Sequence, residues 1–346
     1  MTEKLKTDYS KLQETVEELL PKELPFTFEE LVERFVNGET EGIWEFCKEM
    51  GVWLFSAVSF PLEHGVKLLL LILFSALFSN LSKAFSREGT AHVGFLCVYF
   101  LMAVHMVSGF MVSLNTTTEG MANLSGFAGV LLPMYCISIA VVTGSVTAAG
   151  YYQGTAFLLG FFELLAGYCL IPLARAYLLL AFASCMQKRP IFRRMLELIV
   201  SLFGWIRKTM IGIAIALSAV QGILAPAIDG LKRTAVVKTA SAIPGVGDLI
   251  GGAWETVMGA GLVLKNSIGL VGIVFLVLIM AIPIVKLALQ YLMYRVLAAV
   301  SEPVAQDITE QFLHHVGIAQ KLLLETLVLG VLLFILLLVV MTRITV

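Results

Sequence analysis

Glu310, His314 and His315 are the closest that the sequence comes to a metal site, because they repeat at the spacing of one helical turn. Two ring nitrogens and a carboxylate suit zinc, but a protein zinc site needs a complete ligand shell. No further ligand lies nearby in the sequence, so we interpret these residues as a solvated polar turn. We expect no metal and no other cofactor.

Other patterns that could support catalysis are incomplete. Gly245, Gly247 and Gly251 superficially resemble a phosphate-binding loop, but no Gly-Lys-Ser/Thr follows them and no strand is predicted before them. The serines have no histidine and aspartate companions, which argues against nucleophilic catalysis. The five cysteines contain no Cys-x-x-Cys pair, and we interpret them as small apolar side chains. We predict no catalytic residues and no enzyme activity.

Isolated charges inside apolar sequence are more informative. Glu163 and Arg175 interrupt a long apolar stretch, and ionisable residues in such places mark pathways or interfaces. Twelve residues of helix correspond to about 18 Å, so the two side chains cannot pair unless the chain bends near Pro172. His105 lies in another apolar run. It could titrate in a pathway, but a hydrogen bond to a neighbouring helix is the simpler interpretation.

A segment rich in glycine extends from residue 231 to residue 272. Glycine lets helices approach closely, and Gly/Pro breaks allow irregular backbone where protein or water covers it. One interpretation is a pore or assembly surface formed by a re-entrant hairpin; the other is an ordinary amphipathic helix outside the membrane. With Glu163 and Arg175, the candidate pore or assembly residues of this segment are Gly245, Gly247, Gly251, Glu255, Gly259 and Lys265.

Composition identifies the class of protein that must position these residues. The chain of 346 residues is 58% apolar and only 14% charged, and a soluble domain carries roughly a quarter charged residues. Its first 50 residues hold 6 Lys/Arg against 13 Asp/Glu, so this acidic segment is not expected to bind nucleic acid. We predict an all-α, polytopic helical membrane protein of six to eight spans, with a short helical N-terminal extramembrane segment.

Uncharged runs predict the positions of the spans, because an ionised side chain in the hydrocarbon core is unfavourable. The run at residues 120–162 is long enough for two crossings, divided near Gly150–Gly154. The predicted spans are Leu68–Ser82, Ala91–Thr118 ending at a polar turn Asn115–Glu119, Gly120–Phe162 with apolar sequence continuing to Met186, Thr209–Ile228, Ser267–Val285 and Thr326–Thr342.

Four regions follow from this pattern. Residues 1–60 form an acidic amphipathic segment, in which Thr27 and Glu30 predict a capping box. Residues 61–228 hold transmembrane helices with a basic interfacial helix near 188–208, residues 229–266 form a glycine-rich loop or re-entrant helical hairpin, and residues 267–346 hold the C-terminal spans. The basic cluster at 188–208 is expected in the cytoplasm, with residues 229–266 outside and 295–321 inside.

The glycine-rich segment also carries a family resemblance. Leu231-Lys-Arg233, Thr239 to Gly247, Glu255 to Gly259 and Leu264 to Gly269 occur in an order that resembles the stage III sporulation protein AE family of endospore-forming bacteria. The resemblance continues weakly through Ala281–Lys286 and Ala298–Pro303. It implies no catalytic residues.

The resemblance implies a multi-pass protein of the mother-cell membrane surrounding the forespore. Its implied partners are membrane lipid, the other stage III A operon proteins and stage II sporulation protein Q, together with possible further copies of the chain. The implied function is that of a subunit of the channel complex between mother cell and forespore, which supports late forespore transcription. Two alternatives stay open: a self-sufficient secondary transporter, with Glu163, Arg175, Glu255 or Lys265 on its path, and a passive membrane scaffold.

Overall fold

A computed structural model describes residues 12–19, 27–37, 59–84, 88–186, 192–240, 247–303 and 307–343. Nearly all of these residues are helical, and no strand occurs among them. Among the described residues, a short helix at residues 12–19 precedes eight longer ones. They are α1 (Phe28–Asn37), α2 (Ser59–Ala84), α3 (Glu88–Val142), α4 (Ser145–Leu165), α5 (Ile171–Cys185), α6 (Arg193–Ala240), α7 (Gly247–Ser301) and α8 (Asp307–Arg343).

The described helices confirm a polytopic helical membrane protein. Five helical stretches among the described residues are long and apolar enough to cross a bilayer, which needs about 20 residues. This number, which applies to the described residues, is below the six to eight spans predicted. The five apolar stretches are Cys97–Val142, Ser145–Cys185, Arg193–Gln221, Gly261–Ser301 and Ile308–Thr342.

Helix α3 continues through the polar sequence Asn115–Glu119, where a turn was predicted, and that prediction is wrong. The hydroxyl groups of Thr116, Thr117 and Thr118 each donate to the carbonyl four residues earlier, over 2.8–3.0 Å. These hydrogen bonds satisfy the polar side chains within the helix, so they create no need for a turn.

The next break occurs at Gly144 and not near Gly150–Gly154, where the division of the long apolar run was predicted. Gly144 has φ 118°, a left-handed conformation that side-chain-bearing residues rarely adopt. Helix α4 begins at Ser145 and continues through Gly150 and Gly154 without interruption. A π-helical turn at Ala166–Leu170 then joins α4 to α5.

Helices α6 and α7 each join two regions that were predicted to be separate. The basic segment after residue 192 and the span Thr209–Ile228 belong to the single helix α6. Helix α7 likewise includes residues 247–266 of the glycine-rich segment as well as the span Ser267–Val285. Residues 241–246, between the two helices, are outside the described part of the chain.

Helix α8 lies at the centre of the bundle and packs on α3, α4, α5, α6 and α7. Ring contacts between Tyr99 and Phe312, and between Phe127 and Phe334, show that α3 and α8 run in the same direction. Helix α7 runs in the opposite direction. Its Gly272 lies against Leu131 of α3, so the absence of a side chain lets these two helices approach closely.

The N-terminal helices dock on this bundle. The Thr27 N–H donates to Glu30 Oε2 over 3.1 Å and the Glu30 N–H donates to Thr27 Oγ1 over 3.2 Å, which confirms the predicted capping box. Phe28 and Val32 are buried, and the ring of Phe28 lies 5.3 Å from that of Phe275 on α7. The apolar face of α1 therefore packs on a membrane-type helix.

Candidate functional site

A buried polar cluster joins α2, α3 and α7. We call it the histidine–glutamine cluster, and its members are His64, His105, Ser113, Gln290 and Tyr294. The Ser113 hydroxyl donates to Gln290 Oε1 over 2.7 Å, and Gln290 Nε2 donates to the Gly109 carbonyl over 2.9 Å. Ser113 and Gln290 are both buried. The amide of Gln290 therefore uses its donor and its acceptor to bind the same helix, α3.

His64 and Tyr294 complete a second connection in the cluster. The Tyr294 hydroxyl donates to the Met106 carbonyl over 3.3 Å, and His64 Nε2 lies 3.0 Å from the same hydroxyl oxygen. His64 Nε2 and the Tyr294 hydroxyl therefore share a hydrogen bond that links α2 to α7. A Cβ atom at Gly109 would collide with His64 and Tyr294, so this close contact requires glycine.

His105 stacks on His64 with ring centroids 4.0 Å apart. Its Nε2 atom is buried and has no hydrogen-bond partner among the described residues. A hydrogen bond from His105 to a neighbouring helix was expected. At Nε2 it is absent from the part of the chain that the structure describes, and the ring contacts α2 by stacking on His64 instead.

Gln320 is a further buried polar residue, at the centre of α8. Its side chain is completely buried, and neither amide atom has a partner within the described part of the chain. It lies between the Tyr99–Phe312 contact and the packing of Gly120 against Leu327. Since α3 and α8 are parallel, Gln320 lies at the level of the histidine–glutamine cluster.

Glu163 is an exposed residue near the middle of the apolar stretch Ser145–Cys185. The Ser125 hydroxyl of α3 donates to Glu163 Oε2 over 2.8 Å. The two residues border a cavity of about 170 Å³ between α3 and α4, which is named below the α3/α4 groove. Its other lining residues are Met121, Leu124, Ala128, Gly129, Leu132, Tyr152, Ala156, Leu159, Gly160 and Phe162.

Glu163 and Arg175 lie at different depths of the bundle. Phe162 packs over Gly330 of α8, whereas Tyr177, two residues after Arg175, forms a 2.9 Å hydrogen bond with His315 of α8. The two contact points on α8, Gly330 and His315, are fifteen residues apart, which corresponds to roughly 20 Å along the helix. The chain stays helical from Glu163 to Arg175, with one π turn at Ala166–Leu170, so the two side chains do not come together.

Lys265 occupies a third depth. It is completely buried in α7, and Gly261 and Gly269 on either side of it pack against Val142 and Tyr135 of α3. Glu163, by contrast, contacts α3 at Ser125, about 20 Å nearer the N-terminus of that helix. The predicted charges Glu163, Arg175 and Lys265 therefore do not form one site.

The remaining candidates belong to the N-terminal part of α7. Gly245 lies outside the described residues. Gly247, Gly251 and Glu255 are helical, and their surroundings are not among those the structure describes. Gly259 is exposed, and no atom of the described residues lies within 4 Å of the position that its Cβ would occupy. The surface at Gly259 is therefore open to another helix.

His314 and His315 are helical residues of α8, so the interpretation of this segment as a polar turn is wrong. His315 Nδ1 and the Tyr177 hydroxyl share a hydrogen bond that holds α5 against α8. Within the described ranges, no group of three or more His, Cys, Asp and Glu side chains could hold a metal ion.

A small charged group ties α6 to α8. Arg207 Nη1 lies 2.9 Å from Glu325 Oε1, and Lys321 Nζ lies 3.7 Å from the same oxygen. The three side chains are 24–51% exposed, and partly exposed pairs of this kind contribute little stability individually. We therefore assign this group to helix packing.

Comparison with known proteins identifies the family. The family model for stage III sporulation protein AE matches residues 26–345. The chain belongs to the stage III sporulation protein AE family. The stage III sporulation protein AE of Bacillus subtilis (strain 168) is 27% identical over 271 residues, which cover 78% of this chain and 68% of the relative. No solved structure matches the chain.

Family membership confirms the resemblance seen in residues 231–303 and extends it over nearly the whole chain. It places the chain among sporulation proteins, and its apolar helices make it a multi-pass membrane protein.

Sequence reasoning missed most of the histidine–glutamine cluster. Its signal was present, because His105, Gly109 and Ser113 are spaced four residues apart and so face one side of a helix. Gln290 and Tyr294 repeat the same spacing on α7. A periodic polar stripe in an apolar helix therefore indicates an internal helix contact.

Proposed function

We propose that this protein is a non-enzymatic membrane subunit of the channel complex between mother cell and forespore, required for endospore formation and late forespore transcription. It resides in the mother-cell membrane around the forespore. Its partners are the other stage III A operon proteins and stage II sporulation protein Q. The observation that carries the proposal is the family match over residues 26–345 of a chain built from apolar helices.

The distribution of polar groups supports an assembly role. The histidine–glutamine cluster is satisfied largely inside the bundle, where it holds α2, α3 and α7 together. Gly259 and Glu163, in contrast, face outward. Outward-facing small or ionisable residues on apolar helices favour contact with another protein, because lipid offers them no packing advantage or hydrogen bond.

A self-sufficient transporter receives less support. Such proteins concentrate their substrate-binding polar groups near one level of the membrane. Glu163, Arg175 and Lys265 instead lie at three levels separated by about 20 Å. Uptake of a solute into liposomes by the purified protein alone would favour the transporter over the complex subunit.

Gene deletion and complementation test the proposed function. We expect deletion to block late forespore transcription in sporulating cells, and the wild-type chain to restore it and to co-purify with stage III A proteins. Normal late transcription in the deletion strain would contradict the proposal. A scaffold without a conduit would remain active after neutral substitution of every charge inside the apolar stretches.

Gly259→Leu tests the assembly surface within this proposal. The new side chain meets open space in the isolated chain, so folding and membrane insertion should persist while co-purification with stage III A proteins falls strongly. Gly212→Leu is the matched control, since it places the same side chain over open space on α6. Equal co-purification of the Gly259 variant and the control would show that Gly259 is not in an interface.

A further inference from the structure

The α3/α4 groove is shaped to accept a helix. Ala128 and Gly129 of α3 and Ala156 and Gly160 of α4 line it. Within the described part of the chain, no atom lies within 4 Å of the Cβ positions of Gly129 and Gly160. Small residues at such a surface let the backbone of a second helix approach closely, which is the main source of packing energy between helices in lipid.

Glu163 places a carboxylate at the edge of this groove. Its neighbours Phe161 and Leu164 are exposed apolar side chains, 42% and 59% accessible, as expected for a surface inside the bilayer. A carboxylate can accept about four hydrogen bonds, and the Ser125 hydroxyl supplies one of them. A charged carboxylate that faces lipid at this depth is unfavourable, so the groove favours a positively charged or hydrogen-bonding occupant.

Among the residues that the structure describes, no basic side chain pairs with Glu163. Arg175, the other charged residue of the stretch Ser145–Cys185, is twelve residues away, about 18 Å along the helix. A second copy in the same membrane orientation would bring its own Glu163 to the same depth. Two carboxylates would then face each other, which disfavours a symmetric pairing of copies through this groove.

We propose that the α3/α4 groove binds one transmembrane helix of a different polypeptide, with a Lys or Arg side chain of that helix paired with Glu163. The inference rests on the proposed function, because it names the chemistry of one subunit contact in the complex. Small residues of the bound helix lie over Gly129 and Gly160. The positive charge neutralises the carboxylate and completes its hydrogen bonding.

Site-specific photocrosslinking in sporulating cells locates the occupant. Tyr152 lines the groove and is 42% exposed, so p-benzoylphenylalanine can replace it with another aromatic side chain. Trp205 of α6, 64% exposed and outside the groove, is the matched control position. We expect the Tyr152 probe to form an adduct with a different polypeptide, within an apolar helix that contains Lys or Arg, and the Trp205 probe to form none with that helix.

Charge exchange then tests the pairing with Glu163. Glu163→Gln keeps an acceptor for Ser125 but removes the charge, and we expect the adduct to fall at least about tenfold at unchanged membrane level. Glu163→Lys should abolish the adduct, and exchange of the partner's basic residue for Glu should restore it. Glu119→Lys, which makes the same change at an exposed site outside the groove, should leave the adduct intact.

Several results would overturn the inference: adducts with copies of this chain, adducts with lipid alone, no adduct, a bound helix without a basic residue, or an adduct insensitive to Glu163→Lys. These failures leave the proposed function standing if the wild-type chain still co-purifies with stage III A proteins. Loss of that co-purification in the wild type would instead contradict the proposed function, whatever the groove binds.

Discussion

The hydrogen bond from Ser113 to Gln290 joins two apolar helices at residues that no local pattern of charge identifies. Both side chains are buried, so loss of either partner leaves the other without a hydrogen bond in a site that water does not reach. Interhelical hydrogen bonds in membrane proteins have measured coupling energies of about 0.6 kcal/mol on average and about 1.7 kcal/mol at most.

We predict that Gln290→Leu lowers the free energy of unfolding in detergent micelles. A double-mutant cycle with Ser113→Ala should give a coupling energy of about 0.6–1.7 kcal/mol. Gln153→Leu, the same change at an exposed position of α4, should alter stability by less than about 0.5 kcal/mol. Strictly additive effects of the Gln290 and Ser113 substitutions would show that the hydrogen bond contributes no stability.

Single residues were predictable where their signal was local. Thr27 and Glu30 were identified because a capping box lies within one turn of chain. Glu163 was recognised because it interrupts an apolar run, but its partner Ser125 is 38 residues away and depends on how α3 meets α4. His64 was missed because its burial arises from α3 and α7, not from its neighbours in sequence.

At the scale of the helices, the decisive feature is where each one ends. Polar residues at Asn115–Glu119 indicated a turn, but threonine hydroxyls can bond within a helix, and this sequence uses that option. Several glycines offered possible breaks between α3 and α4. Gly144 differs from Gly150 and Gly154 in its backbone conformation, with a positive φ angle. The presence of a glycine in the sequence does not predict which φ angle it adopts.

Gly144→Ala tests the position of this break. At φ 118° a Cβ atom is strained, so we expect the free energy of unfolding to fall by about 1 kcal/mol or more. Gly150→Ala is the matched control, since it lies within α4 with no atom near its Cβ position and should stabilise the helix by about 0.5–1 kcal/mol. Thermal unfolding in detergent measures both. The opposite order of stability would place the break at Gly150.

The whole molecule has two ends, defined by the order of the helices. The ring of Phe182 lies 5.4 Å from that of Phe312, so the end of α5 adjoins the start of α8. Helix α6 also starts at this end. Arg207 and Glu325, which form an ion pair, are 14 and 18 residues from the starts of α6 and α8, and α6 then runs toward the other end, where Gln221 donates to the Gly150 carbonyl. By the positive-inside rule, the basic residues Arg193, Arg194, Arg207 and Lys208 of α6 predict that this first end faces the cytoplasm.

Labelling of single cysteines in cells tests this orientation. In a variant without the native cysteines, we expect Met186→Cys and Glu310→Cys to be protected from a membrane-impermeant maleimide added outside, and Ala235→Cys to react. Met186 and Glu310 lie at one end of the bundle, and Ala235 lies far along α6 toward the other. Labelling of Met186→Cys from outside would reverse the assigned orientation.

The class of the molecule was predictable from composition, because lipid excludes charge from long runs of sequence. Which helices pack against each other was not predictable from composition, because lipid solvates every apolar helix face equally well. This packing depends on small residues such as Gly272, and on polar contacts between distant segments, which only the folded chain brings together.

The length of α3 has a consequence for its surroundings. Its 55 residues extend about 80 Å, whereas a bilayer with its headgroups is about 40–45 Å thick. A tilt of 40°, the upper end of the usual range, still leaves roughly 15–20 Å of the rod outside the membrane. The part of α3 that extends beyond the headgroups must therefore contact water or another protein and not lipid.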